Sequence, residues 1–101
     1  MSEQTAEQET PAVPLTHLRP ALEAVLMVAD EPLDPAVLAT AVGQPVREVV
    51  SALEALAAEY TEDERGFEVR NVAGGWRFYA RDEYADVVSG FVLEGQQARL
   101  T

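Results

Sequence analysis

The stretch Asp34-Pro35-Ala36-Val37-Leu38-Ala39-Thr40-Ala41-Val42-Gly43-Gln44-Pro45-Val46, continuing to Tyr60, reads as two helices and the turn between them. Asp34 offers a capping carboxylate and Pro35 a φ that is already helical, so a helix starts there. Leu33 before the cap and Leu38 four residues beyond it are spaced for a hydrophobic staple. Val37, Leu38 and Ala41 make its apolar side. Gly43 stops it, since glycine takes the left-handed C-cap conformation without steric penalty. Gln44-Pro45 then restarts a helix over residues 45–60. Val46, Val49, Val50, Leu53, Leu56, Ala57 and Tyr60 share its broad apolar face, opposite Arg47, Glu48, Ser51, Glu54 and Glu59. Two helices joined by a short glycine-bearing turn have the layout of a helix-turn-helix.

Upstream, Leu18, Leu22, Val25, Leu26 and Ala29 recur at helical spacing and place a helix over residues 18–29, with Pro20 tolerated only in its first turn. Asp30-Glu31-Pro32 breaks it. Residues 1–17 carry Glu3, Glu7 and Glu9 with Pro11 and Pro14 among them, too polar to offset the entropy of ordering, and read as a flexible acidic tail. Downstream of the charged connector 61–66 the period falls to two: Phe67 and Val69 alternate with Glu68 and Arg70, then Trp76 and Phe78 with Arg77 and Tyr79. Gly74-Gly75 between these runs is a hairpin turn signal. Asp82 or Glu83 opens a last helix whose inner side is Tyr84, Val87, Val88 and Phe91, and Gly95 closes it. The expected fold class is mainly α with a small β-hairpin, a winged helix-turn-helix over residues 18–95 with residues 71–77 as the wing. Residues 96–101 carry no element of their own and read as a linker.

Composition narrows the function. The 101 residues include no cysteine and one histidine, His17, which leaves no basis for thiolate chemistry, a multi-histidine metal site or a Ser-His-Asp triad. Glu62-Asp63-Glu64 lacks the alternating ligands and glycine of a calcium loop. No catalytic, cofactor-binding or metal-ligating residue is expected, and no enzyme. No apolar run reaches 18 residues and the N-terminus lacks the layout of a signal peptide, so a cytoplasmic protein without a membrane partner is expected.

Seven arginines, no lysine and eighteen Asp or Glu give a formal charge of −11, which repels phosphate backbones on average. The outward side of the third helix sets Arg47 against Glu48, Glu54 and Glu59. A probe so acidic opposes entry into a DNA groove, and specific nucleic-acid binding is not expected. The hairpin is more basic, with Arg65, Arg70, Arg77 and Arg81 against Glu68. A DNA-binding transcriptional regulator acting through this basic wing is therefore the alternative reading. Trp76 and Tyr79 have opposite parity on one strand, so one of them faces outward. The last helix adds Val92 and Leu93, more apolar surface than one stripe needs. Trp76, Tyr79, Phe91 and Val92 are accordingly the expected protein interface, in a homodimer.

The stretches Leu18-Arg19-Pro20-Ala21-Leu22-Glu23-Ala24-Val25-Leu26, Ala29-Asp30-Glu31-Pro32-Leu33, Val72-Ala73-Gly74-Gly75-Trp76-Arg77 and Glu83-Tyr84-Ala85, in this order and spacing, resemble the segregation and condensation protein B (ScpB) family. The lysine-free, Ala- and Val-rich composition resembles an actinobacterial member. The resemblance implies two winged-helix domains, of which this chain is the N-terminal one. It implies a non-enzymatic subunit of the bacterial SMC condensin, acting in chromosome condensation and segregation at the nucleoid. Its implied partners are a second copy, the kleisin subunit ScpA and SMC, with homodimerisation mostly in the N-terminal domain and much of the kleisin contact in the C-terminal one.

Overall fold

The computed structural model describes residues 12–100, with side chains described through residue 94. Helix α1 spans Leu18–Val28 after a single 3₁₀ turn at Leu15–His17. Leu18, Leu22 and Leu26, spaced by four, are its buried edge. The chain turns extended at Ala29, and Leu33 then pairs with Trp76 through two backbone hydrogen bonds of 2.9 and 2.7 Å. Helix α2 spans Pro35–Val42. The Asp34 carboxylate accepts from the Ala36 N–H at 2.7 Å, and Gly43 caps the other end at φ 71° while its N–H donates to the Ala39 carbonyl. Its buried residues are Leu38, Ala39 and Val42. Val37 and Ala41, expected inside, are exposed, because the helix turns its 38/42 edge to the core.

Helix α3 spans Val46–Glu62 and buries Val49, Ala52, Leu53, Leu56 and Tyr60, a stripe of period 3.6. The three helices pack on one another around a largely apolar core whose fully buried side chains include Leu22, Leu26, Leu38, Leu53 and Leu56. Each such leucine contributes about 1.5–3 kcal/mol of burial.

Strands β1 (Phe67–Val72) and β2 (Gly75–Ala80) form an antiparallel hairpin with Val69 opposite Phe78 and Arg70 opposite Arg77. The turn residues are Ala73 and Gly74, at φ 54° and 86°, and not Gly74-Gly75 as expected. Two consecutive positive φ values match the twist of the flanking strands, and the Asn71 Oδ1 secures the turn by accepting from the Gly74 N–H at 3.0 Å. Gly75 is a strand residue with a different duty: a Cβ there would lie 2.6 Å from the Cβ of Pro32. Phe67, Phe78 and Tyr60 cluster between hairpin and α3, with ring centroids 4.9–6.1 Å apart.

A 3₁₀ turn at Asp82–Tyr84 leads into helix α4, Ala85–Leu100. The helix runs through Gly95, which was expected to end it, and residues 96–100, expected to be linker, are helical. A glycine weakens a helix interior but terminates it only by leaving the helical basin. Residues 1–11 of the expected tail lie outside the described residues. Residues 12–17, expected within that tail, are instead fastened to the fold: the Val13 N–H donates to the Val42 carbonyl at 2.8 Å, the Gln44 Nε2 donates to the Val13 carbonyl at 2.7 Å, and Val13 packs against the core.

Candidate functional site

Three surfaces bear on function. The outward side of α3 is acidic and flanked by the chain itself. A shallow depression there is bordered by Leu15 and Arg19 on one side and Glu48, Ser51 and Ala55 on the other. The Arg19 Nη1 lies 3.1 Å from the Glu59 Oε2, tying the last turns of α3 to α1. The helix that would enter a groove is thus negatively charged and borders α1 along one side.

The hairpin arginines are largely occupied by neighbouring carboxylates. Arg65 meets Asp63 at 3.2 Å, Arg70 meets Glu68 at 3.8 Å and Arg81 meets Glu83 at 3.2 Å. Such exposed pairs each contribute about 0–1 kcal/mol. Arg77, directly across the hairpin from Arg70, has no carboxylate partner among the described residues.

The apolar surface lies on α4. Val87, Val88, Phe91 and Val92 fall on one side of the helix, continued by Tyr84 in the turn before it, and none of them is buried; Phe91 is 75% exposed, Val87 69% and Val92 45%. The stripe expected to face inward therefore faces solvent. Within the chain α4 packs mainly on the Asp82–Tyr84 turn that precedes it. Val88, Val92, Ala85 and Ser89 also form one wall of a groove of about 430 Å³, closed at its other side by Ala80 and Arg81. Arg81 reaches Glu83 with its Nη2, while its Nη1 is buried without a hydrogen-bond partner.

Of the four residues expected at an interface, Phe91 and Val92 stand together on this surface. Tyr79 lies half-buried on the hairpin's outer face, with the Arg70 guanidinium 5.0 Å above its ring. Trp76 does not join them: it is 6% exposed, on the inner face of β2 against the core, because it shares the parity of Phe78, which lies opposite buried Val69 and packs on that core. Sequence reasoning missed Met27 and Val28, 75% and 82% exposed at the end of α1. Met27 borders a second groove, of about 400 Å³, with Phe67, Phe78 and Tyr79. Both residues sit beside, not on, the Leu18/Leu22/Leu26 edge, which was the available signal.

Buried Tyr60 donates its hydroxyl proton to the Glu23 carboxylate, joining α3 to α1. Burial, reinforced by this bond, pushes its phenol well above the ordinary tyrosine range. This is a structural tie beneath the surface. Among the described residues no group of three or more His, Asp or Glu draws together as a metal site, and no helix is long and apolar enough to cross a membrane.

The family model for the segregation and condensation complex subunit ScpB matches residues 20–101. This chain belongs to that family. A curated relative, segregation and condensation protein B of Moorella thermoacetica, is 38% identical over 69 residues, covering 68% of this chain and 35% of the relative. The chain thus spans about a third of that relative's length. Among solved structures, ScpB from Mycobacterium tuberculosis is similar with a TM-score of 0.79 and 35% identity, over 85% of this chain and 54% of the other. A conserved hypothetical protein from Chlorobium tepidum gives 0.70 at 27% identity, over 99% and 57%. The dimer of the ScpB N-terminal domain complexed with ScpA peptide gives 0.70 at 21% identity, over 78% of this chain and 99% of that one, a likeness of fold. Four helices and a two-stranded antiparallel hairpin match the expected winged-helix class.

Proposed function

We infer that this chain is the homodimerising N-terminal domain of a non-enzymatic scaffold subunit of the bacterial SMC condensin, working in chromosome condensation and segregation. In the full-length protein its partners are a second copy, the kleisin ScpA and, through it, SMC, and its place is the nucleoid within the cytoplasm. Membership of the ScpB family supports this reading, as does the ScpB N-terminal domain of similar fold that was solved as a dimer with an ScpA peptide. Residues 18–95 make up the winged-helix domain and residues 96–101 lead toward a second winged helix, in keeping with the larger size of the relatives. The lysine-free composition and the likeness to the Mycobacterium tuberculosis protein support an actinobacterial source.

The observation that carries dimerisation is the solvent-facing apolar stripe of α4. Its exposed side chains amount to on the order of 500 Å² per copy, so a symmetric contact removes about 1,000 Å² from water, the lower bound for a specific interface. At about 25 cal/mol per Å² the gross gain exceeds the smaller estimates of the cost of association. Light scattering at high micromolar concentration tests this directly. A dimer is expected; a monomer overturns the reading.

Arg77, across from Arg70 and without a carboxylate partner among the described residues, is what favours the rival, a DNA-binding regulator acting through its wing. The acidic α3 opposes it. Titration with duplex DNA at two salt concentrations separates them: tight binding with a steep salt slope belongs to the rival.

A further inference from the structure

The α4 helix carries both a projecting aromatic ring and, one residue away, the wall of an empty groove. Phe91 stands in solvent, while Val92 lines the groove with Ala85, Val88, Ser89, Ala80 and Arg81. We propose that this groove is the seat of Phe91 from a second copy, with Glu94 of that copy answering Arg81. The proposal rests on the homodimer reading above and assigns its contact.

Knob and hole lie on the same helix, so a two-fold axis crossing α4 sends each Phe91 into the other copy's groove at once. That is the self-complementarity an isologous interface requires. The groove's lining is apolar along Ala80, Ala85, Val88 and Val92, which suits a phenyl ring. Leu93 extends that apolar wall, and the polar end holds Arg81 beside Asp82; the Arg81 Nη1 is buried and lacks an acceptor among the described residues while Nη2 is engaged by Glu83. A buried donor without an acceptor is costly, and a small rotation of the guanidinium toward an arriving carboxylate removes that cost. Glu94 follows Phe91 by three residues, one helical turn, so ring and carboxylate arrive on neighbouring parts of the same surface. The second copy is the favoured occupant because this chain itself displays the ring, the carboxylate and an apolar area at the lower bound for a specific contact.

Sedimentation equilibrium of the chain and its variants tests the assignment. Ser89→Trp fills the groove of each copy and Phe91→Ala removes the knob; each is expected to weaken the dimer by about tenfold or more, with the far-ultraviolet circular dichroism unchanged. Arg81→Glu and Glu94→Arg each weaken it alone, and together restore the dissociation constant to within about threefold. If the wild type dimerises while Ser89→Trp and Phe91→Ala leave its affinity within about twofold, the groove assignment fails and the homodimer reading stands. A monomeric wild type overturns both.

Discussion

Gly75 faces Pro32 so closely that a Cβ at position 75 would lie 2.6 Å from the Pro32 Cβ. The contact sits where the segment before α2 pairs with β2, next to the Leu33–Trp76 bridge. Gly75→Ala is therefore expected to cost about 1–3 kcal/mol, a drop in melting temperature of roughly 4–8 °C per kcal/mol. Pro32→Gly removes the colliding atom, so the double variant should be less destabilised than the sum of its parts. Additive effects in chemical denaturation would show that the close approach is not what constrains position 75.

Tyr60 couples stability to alkaline pH. Unfolded, its phenol ionises near pH 10, whereas burial and the bond to Glu23 hold the proton to higher pH in the fold. Above about pH 10 the unfolded chain then binds fewer protons than the folded one, so stability falls as pH rises, by at most about 1.4 kcal/mol per unit. The sequence has no lysine to titrate in the same window. Urea midpoints between pH 9 and 11 should decline steeply for the wild type and gently for Tyr60→Phe, which also loses about 0.5–3 kcal/mol at neutral pH. Equal slopes would refute the assignment.

Ala73 occupies a left-handed turn position at φ 54°, which costs a residue with a Cβ about 1–2 kcal/mol relative to one suited to it. Asn is favoured at the first residue of such a turn. Ala73→Asn should raise the melting temperature, and the gain should be absent when Gly74 is also replaced by alanine, since that substitution disrupts the turn itself.

Gly90 lies within α4, and a Cβ there meets nothing within 4 Å. It lies about 100° around the helix from Phe91 and does not line the groove. Gly90→Ala should gain about 0.5–1 kcal/mol of helix stability and raise the helical dichroism without weakening association. A weaker dimer would place position 90 inside the contact.

Much of the fold was legible because its signals are local. Asp34 with Pro35 sets the start of α2, Gly43 its end, and the spacing of Val49, Leu53, Leu56 and Tyr60 the buried side of α3. What escaped depended on distant neighbours. Parity required either Trp76 or Tyr79 to point inward, and the packing of Val69 and Phe78 on the helical core, which local parity does not reveal, decides for Trp76. Two adjacent glycines suggested the turn, yet Gly75 is constrained by Pro32, so the reversal falls one residue earlier. Val13 looked like part of a polar leader until its backbone partners on Val42 and Gln44 were placed. Periodicity found the apolar stripe of α4 and assigned it to the interior; period alone does not reveal whether such a stripe meets the body of the chain or the world outside it.

Because α4 draws little support from the body of its own chain, its opening is uncoupled from global melting. Amide protons of residues 85–94 will exchange with deuterium at rates that slow as the solution is concentrated, even where those of the buried rows on α1 and α3 are already protected in dilute solution. If the homodimer reading holds, one part of this molecule keeps its order privately and the other borrows it from a neighbour.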